Sequence, residues 1–160
     1  MTFVLFRHGD KNFHSADPDL SSLGHRQASL ILEYVQREKL PVPQAIFVSP
    51  KKRTQQTMKP LSENLKIPMK LAPDLLERQS TESFSQFSAR VQKWIQFCEK
   101  SQQSFYFCSH LDWIDEFLTH VPCDQDLQSP LFQSWSPASH MIFHVQDGLW
   151  HLEKFGQILV

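Results

Sequence analysis

At 160 residues, with 41% hydrophobic and 21% charged side chains, the chain is long enough to bury a core and too apolar for global disorder. Its 16 Lys and Arg against 17 Asp and Glu leave a formal net charge of −1, so no strong overall field is available to hold nucleic acid or an anionic membrane. No run approaches the ~20 apolar residues of a membrane span. Met1 leads straight into a short apolar stretch without the basic region of a signal peptide. The three cysteines lack metal-ligand spacing, and Cys98 and Cys108 sit in apolar surroundings. The composition therefore reads as a soluble cytoplasmic protein with reduced thiols.

Thr2 to Phe6 is a β-prone run that predicts a buried strand, stopping at the polar Arg7-His8-Gly9-Asp10. Ser21 or Ser22 caps a predicted helix to about Lys39, ended by Pro41 and Pro43. Ala45 to Val48 predicts a second strand. Ser49 and Pro50 then read as the cap and first residue of a helix to about Leu65, with Pro60 as a possible kink. Met69 to Leu71 is a short strand followed by a polar loop to about Glu82. Ser83 to Lys100 predicts an amphipathic helix with Phe84, Phe87, Val91, Trp94, Ile95 and Cys98 on one stripe. Phe105 to Cys108 is another buried strand, ending at Ser109-His110, and Leu111 to His120 a further helix. After an irregular stretch from Pro122 to Pro137, Ser139 to Val145 and Leu149 to Lys154 flank Asp147-Gly148 as a hairpin. With no repeat, low-complexity tract or linker, a single domain over residues 1–160 is expected. Strands alternating with helices imply an α/β fold, a three-layer αβα sandwich around a mostly parallel sheet.

Ligands of such sheets gather at the carboxyl ends of the strands. Arg7-His8, Ser49-Pro50 and Ser109-His110 all follow strand ends, so they are expected on one rim, with Arg53 close behind. Guanidinium groups match phosphoryl oxygens bidentately and stay charged at physiological pH. A neutral, aimed imidazole is a nucleophile, and a second imidazole can donate to the phosphoryl oxygens. Singly, each of these residues has an ordinary structural reading; jointly, they point to phosphoryl transfer.

Arg7-His8-Gly9 after an N-terminal strand resembles the signature of the histidine phosphatase superfamily, the branch that includes the cofactor-dependent phosphoglycerate mutases. The likeness continues in Leu20-Ser21, Gly24, Gln27 and Ala28, in Ser49-Pro50 with Arg53-Thr54 and Gln56-Thr57, and in Ser109-His110, spanning residues 2–155. The resemblance implies a phosphoglycerate mutase-like fold. It implies that His8 accepts the phosphoryl group as phosphohistidine, that Arg7 and Arg53 clamp its oxygens, and that His110 stabilises the transition state. No metal and no cofactor is implied. Gly9, His14 and Leu111 are expected at the substrate.

Ester cleavage calls for an acid at the leaving oxygen. Leu75-Leu76-Glu77-Arg78 is similar to the mutase L-x-E-R segment, which makes Glu77 the candidate; Glu82 and Asp10 are the alternatives. Several features depart from the mutases. Asp10-Lys11 follows the triplet, His14 stands where they carry an asparagine, and the chain is compact. These features look more like the small SixA-like phosphohistidine phosphatases, which can lack the loop acid. The implied activity is therefore a metal-independent phosphatase acting on a phosphomonoester or on protein phosphohistidine. A phosphomutase and a non-catalytic phosphate-recognition module are the alternatives. The expected partners are a phosphorylated small molecule or a phosphohistidine-bearing protein, with neither nucleic acid nor membrane.

Overall fold

The computed structural model describes residues 1–160. One six-stranded sheet runs in the spatial order β3-β2-β4-β1-β5-β6, built from β1 (Thr2–Arg7), β2 (Ala45–Val48), β3 (Met69–Leu71), β4 (Phe105–Ser109), β5 (Ser139–Gln146) and β6 (Leu149–Gln157). The first four strands are mutually parallel, and β5 and β6 form an antiparallel flank on β1. The β5–β6 turn places Asp147 and Gly148 at φ 53° and 78°, the positive values that a two-residue hairpin turn of this hand requires.

Side chains alternate across each strand, so the sheet buries both faces. Phe3, Leu5, Phe105 and Phe107 face α3 (Phe84–Lys100) and α4 (Leu111–His120), in a core with Val91, Trp94, Trp113, Phe117 and Trp150. Val4, Phe6, Ile46, Val48 and Tyr106 face α1 (Ser22–Arg37) and α2 (Lys52–Leu65), against Ile31, Tyr34, Met58 and Leu61. Helices on both faces of a mostly parallel sheet make the expected αβα layering.

Two local expectations need correction. Ser49 does not cap α2. The cap position is Lys51, whose side chain makes no capping bond, and the orphan N–H of Lys52 is met instead by the Asp17 carboxylate at 3.1 Å. As expected, α2 runs through Pro60 to Leu65, closing on Lys66 in the left-handed region. Phe84 does not share the buried stripe of α3: it is 67% exposed, at the first helical residue, inside the capping box formed by Ser83 and Gln86. Cys98 and Cys108 are buried and free, as the apolar surroundings predict. No helix is long and apolar enough to cross a membrane.

Candidate active site

The parallel register sets the site. Arg7 is paired with Ser109 and Val48 with Cys108, so the residues that follow these strands emerge side by side. The His8 N–H bonds to the Ser109 carbonyl at 3.2 Å and the Ser49 N–H to the Cys108 carbonyl at 3.3 Å, extending the sheet one step beyond its formal end. Arg7, His8, Arg53, Glu77, His110 and Leu111 line a recess of about 330 Å³ there, together with Lys11, Asp112 and Asp115.

His8 is 3% exposed, and its Nδ1 lies 2.8 Å from the Gly9 carbonyl. A carbonyl only accepts, so Nδ1 carries the ring proton and Nε2 keeps its lone pair. Burial pulls the His8 imidazole down to about 3, with the Arg53, Arg7 and Lys11 charges acting in the same direction and the Gly9 carbonyl opposing. The ring is therefore neutral at pH 7. His110 caps α4 with its centroid 5.4 Å from that of His8. Its basicity is depressed further, by burial first and then by Arg53.

Arg53, in the first turn of α2, is 7% exposed. Its Nη2 lies 2.6 Å from Glu77 Oε2 and donates to His110 Nδ1 at 3.0 Å, and its Nη1 is 3.7 Å from Asp17. Arg7 donates through Nη1 to the Trp135 carbonyl, and its Nε is buried without a partner. Glu77 thus enters the cage as a carboxylate on a guanidinium, with Lys51 Nζ 3.7 Å away.

The other two carboxyl candidates are engaged elsewhere. Glu82 binds Arg90 at 2.8 and 2.9 Å, which holds it below the usual carboxylate range, and Asp10 accepts from the Ser21 hydroxyl. Gly9 lies outside the recess. A Cβ there would sit 3.1 Å from the Gly24 carbonyl, so its need for glycine comes from α1 packing. Gly24 is tighter still, with an added Cβ only 2.0 Å from the Asp10 carbonyl oxygen. His14 is exposed and borders a separate recess with Asn12, Ser15, Pro18 and Asp19.

Several contributors escape a linear reading. Arg90, on α3, donates to the carbonyls of Asp74 and Leu76 at 2.8 Å and of Glu77 at 3.2 Å, tying down the loop that carries Glu77. Thr57 Oγ1 accepts the Gly9 N–H at 2.9 Å, fixing the turn after His8 to α2. On the outer side of the recess, Asp112 and Asp115 also wall a neighbouring trough of about 410 Å³ with Arg78, Phe84, Phe87 and Glu116. No group of three or more His, Cys, Asp or Glu side chains is arranged to hold a metal ion.

The family model "Histidine phosphatase superfamily (branch 1)" matches residues 3–81. No curated protein matches the chain in sequence. Among solved structures, the protein histidine phosphatase SixA complexed with tungstate is similar at a TM-score of 0.77, with 17% identity, over 98% of this chain and 97% of that one. The alpha-ribazole phosphatase from Shigella flexneri is similar at a TM-score of 0.78 and 17% identity, covering 100% and 99%. Phosphoserine phosphatase from Entamoeba histolytica, in complex with 3-phosphoglyceric acid, gives a TM-score of 0.71 at 15% identity, covering 98% and 96%. At these identities the structural likeness speaks for the fold. The matched segment, just under half of the chain, holds Arg7-His8-Gly9 and the run from Ser49 to Arg53, and in it the protein resembles branch 1 of the histidine phosphatase superfamily.

Proposed function

We propose that the protein is a metal-independent phosphatase that works through a phosphohistidine at His8. The observation that carries this reading is the state of that ring. Nδ1–H is held by the Gly9 carbonyl, and Nε2 is unprotonated beside two guanidinium groups. The Nε2 lone pair attacks phosphorus, and the bond to the leaving oxygen or nitrogen breaks with its electron pair. Arg7 and Arg53 take the charge on the nonbridging oxygens, which supplies by fixed side chains what a metal supplies elsewhere. Water then attacks the phosphohistidine, phosphate departs, and the electron pair of the broken P–N bond returns to Nε2.

For an ester, the Glu77 carboxylate takes a proton from solvent, delivers it to the leaving oxygen, and takes one from water in the second step. Its reach into the cage, held by Arg90 from behind, supports a phosphomonoester as a substrate alongside protein phosphohistidine. Three free thiols fit a reducing compartment such as the cytoplasm.

The test is hydrolysis of para-nitrophenyl phosphate and of a phosphohistidine-bearing domain by wild type and His8→Ala, with and without chelator. Wild type is expected to turn over at least one donor in chelator and to trap an acid-labile, alkali-stable phosphoenzyme that His8→Ala lacks. Equal inactivity of both proteins on every donor overturns the reading, and loss of activity on chelation overturns its metal independence.

A further inference from the structure

Ser49 is left without a task once Lys51 is seen at the α2 cap. Yet it is 0% exposed, and its Oγ lies 2.7 Å from His110 Nε2, 3.0 Å from Thr54 Oγ1 and 3.3 Å from the Lys51 nitrogen. A buried hydroxyl with three polar neighbours has its proton placed by what those neighbours can do.

The Ser49 end carries the assignment. At one end, the Thr54 hydroxyl lies 2.8 Å from the carbonyls of Ser49 and Lys51, which only accept, so its proton goes to them. Thr54 Oγ1 is then an acceptor toward Ser49, and the Ser49 proton points at Thr54. The Lys51 N–H only donates. Ser49 Oγ is left as an acceptor toward His110, and Nε2 must carry the ring proton. At the other end, Arg53 Nη2 can donate to His110 Nδ1 at 3.0 Å and Glu77 Oε2, also 3.0 Å from Nδ1, can accept from it, so the Ser49 end decides the tautomer.

We propose that Ser49 is a positioning residue, with Thr54 behind it, that locks His110 as the Nε2–H tautomer and so presents the Nδ1 lone pair to the phosphoryl site. The inference deepens the phosphatase reading and rests on it for its kinetic part. A bare lone pair facing a phosphoryl dianion is repulsive, so His110 serves that oxygen only after Nδ1 receives a proton. A monoanionic phosphoryl group brings one. Its P–O–H proton passes to Nδ1, leaving P–O⁻ hydrogen-bonded to an imidazolium, and the ring's other N–H stays on Ser49 Oγ throughout. Ser49 therefore holds the ring in both states and accepts from the cation when it forms.

The experiment has two arms. Long-range ¹H–¹⁵N correlation spectra of the ¹⁵N-labelled protein report the His110 tautomer without any turnover, with His110→Gln as the assignment control. The expected pattern is a protonated Nε2 and a bare Nδ1 in the free wild type, lost or mixed in Ser49→Ala. A protonated Nδ1 in the free wild type overturns the inference even if the enzyme is an active phosphatase. Conversely, absence of turnover with the expected tautomer faults the functional reading and leaves the lock standing.

In the kinetic arm, Ser49→Ala and the near-isosteric Thr54→Val are measured on para-nitrophenyl phosphate from pH 4 to 8. Ser49→Ala is expected to lower kcat about 10- to 100-fold with KM changed less than threefold, Thr54→Val to do so more weakly, and the acid limb to move to lower pH. In a His110→Gln background the Ser49→Ala loss should fall below twofold. An equal loss in both backgrounds means that Ser49 serves only the fold, and the proposal fails.

Discussion

Glu77→Gln should move ligand binding and catalysis in opposite directions. Glu77 Oε2 lies 2.6 Å from Arg53 Nη2, on a donor that a phosphoryl oxygen needs, and 3.0 Å from His110 Nδ1. An entering anion must therefore replace a charge-assisted hydrogen bond already made. A hydrogen bond to a charged group is worth about 1.5–3 kcal/mol net, and Glu77 is partly open to solvent, so about 1–2 kcal/mol of competition is a fair figure. Glutamine keeps the shape and removes the charge. Inorganic phosphate or tungstate should bind the variant ~5–30-fold more tightly, read as the inhibition constant against para-nitrophenyl phosphate or by calorimetry. Turnover of a phosphomonoester should fall by roughly 10²–10⁴ through loss of the acid, while hydrolysis of a phosphohistidine donor, with its better leaving group, changes little. Damage to the fold would weaken binding and turnover together. Anion binding that is unchanged or weaker in Glu77→Gln refutes the competition argument.

Arg90→Met should release the Glu77 loop by removing the donors to three carbonyls and the partner of Glu82; ester turnover should drop at least tenfold with His8 phosphorylation by a phosphohistidine donor retained, and equal loss on both donors would count against the loop assignment. Gly24→Ala should cost upwards of about 3 kcal/mol in urea unfolding, because its Cβ would lie 2.0 Å from the Asp10 carbonyl oxygen, a backbone atom that can yield only by moving the turn after His8. Asp115→Asn should raise kcat/KM for 3-phosphoglycerate relative to para-nitrophenyl phosphate about 2–5-fold at low salt and less at high salt, since the carboxylate lines the recess and repels an anionic leaving group. Acid should destabilise the fold through its buried imidazoles. Burial holds His8 near 3 and His140 near 4, with His110 also depressed, so between their ordinary value of 6.5 and these values the unfolded chain binds more protons than the folded one. Their stabilisation is complete above pH 6.5 and lost as pH falls, about 2 kcal/mol per histidine at pH 5. A urea midpoint unchanged between pH 7 and pH 5 would show that these rings are not held neutral.

The parts of the site visible in sequence are those written by short-range rules. Each apolar strand run stops at a polar pair, and parallel alternation sends those pairs to one edge; the register of Arg7 with Ser109 does the rest. What lay beyond reach arises from contacts between distant segments. Arg90 grips a loop thirteen or more residues before it, Asp17 caps a helix thirty-five residues ahead, and Arg7 is held by the Trp135 carbonyl, 128 residues away. None of these leaves a local pattern. Ser49 shows how a local rule goes astray. Serine before proline is a strong helix-start signal because the hydroxyl can serve an orphan N–H. Here β2 ends one residue earlier and leaves the serine inside the sheet's margin, where the nearest strong partner is an imidazole. The hydroxyl's preference for an orphan polar group is obeyed in both readings; only the tertiary fold says which group is orphaned. The same logic applies to Gly9: its lack of a side chain lets α1 approach through Gly24, and that approach presses the His8 turn into place from behind. Glycine, serine and arginine in these motifs thus act in large part on one another, and the two histidines are the residues they aim.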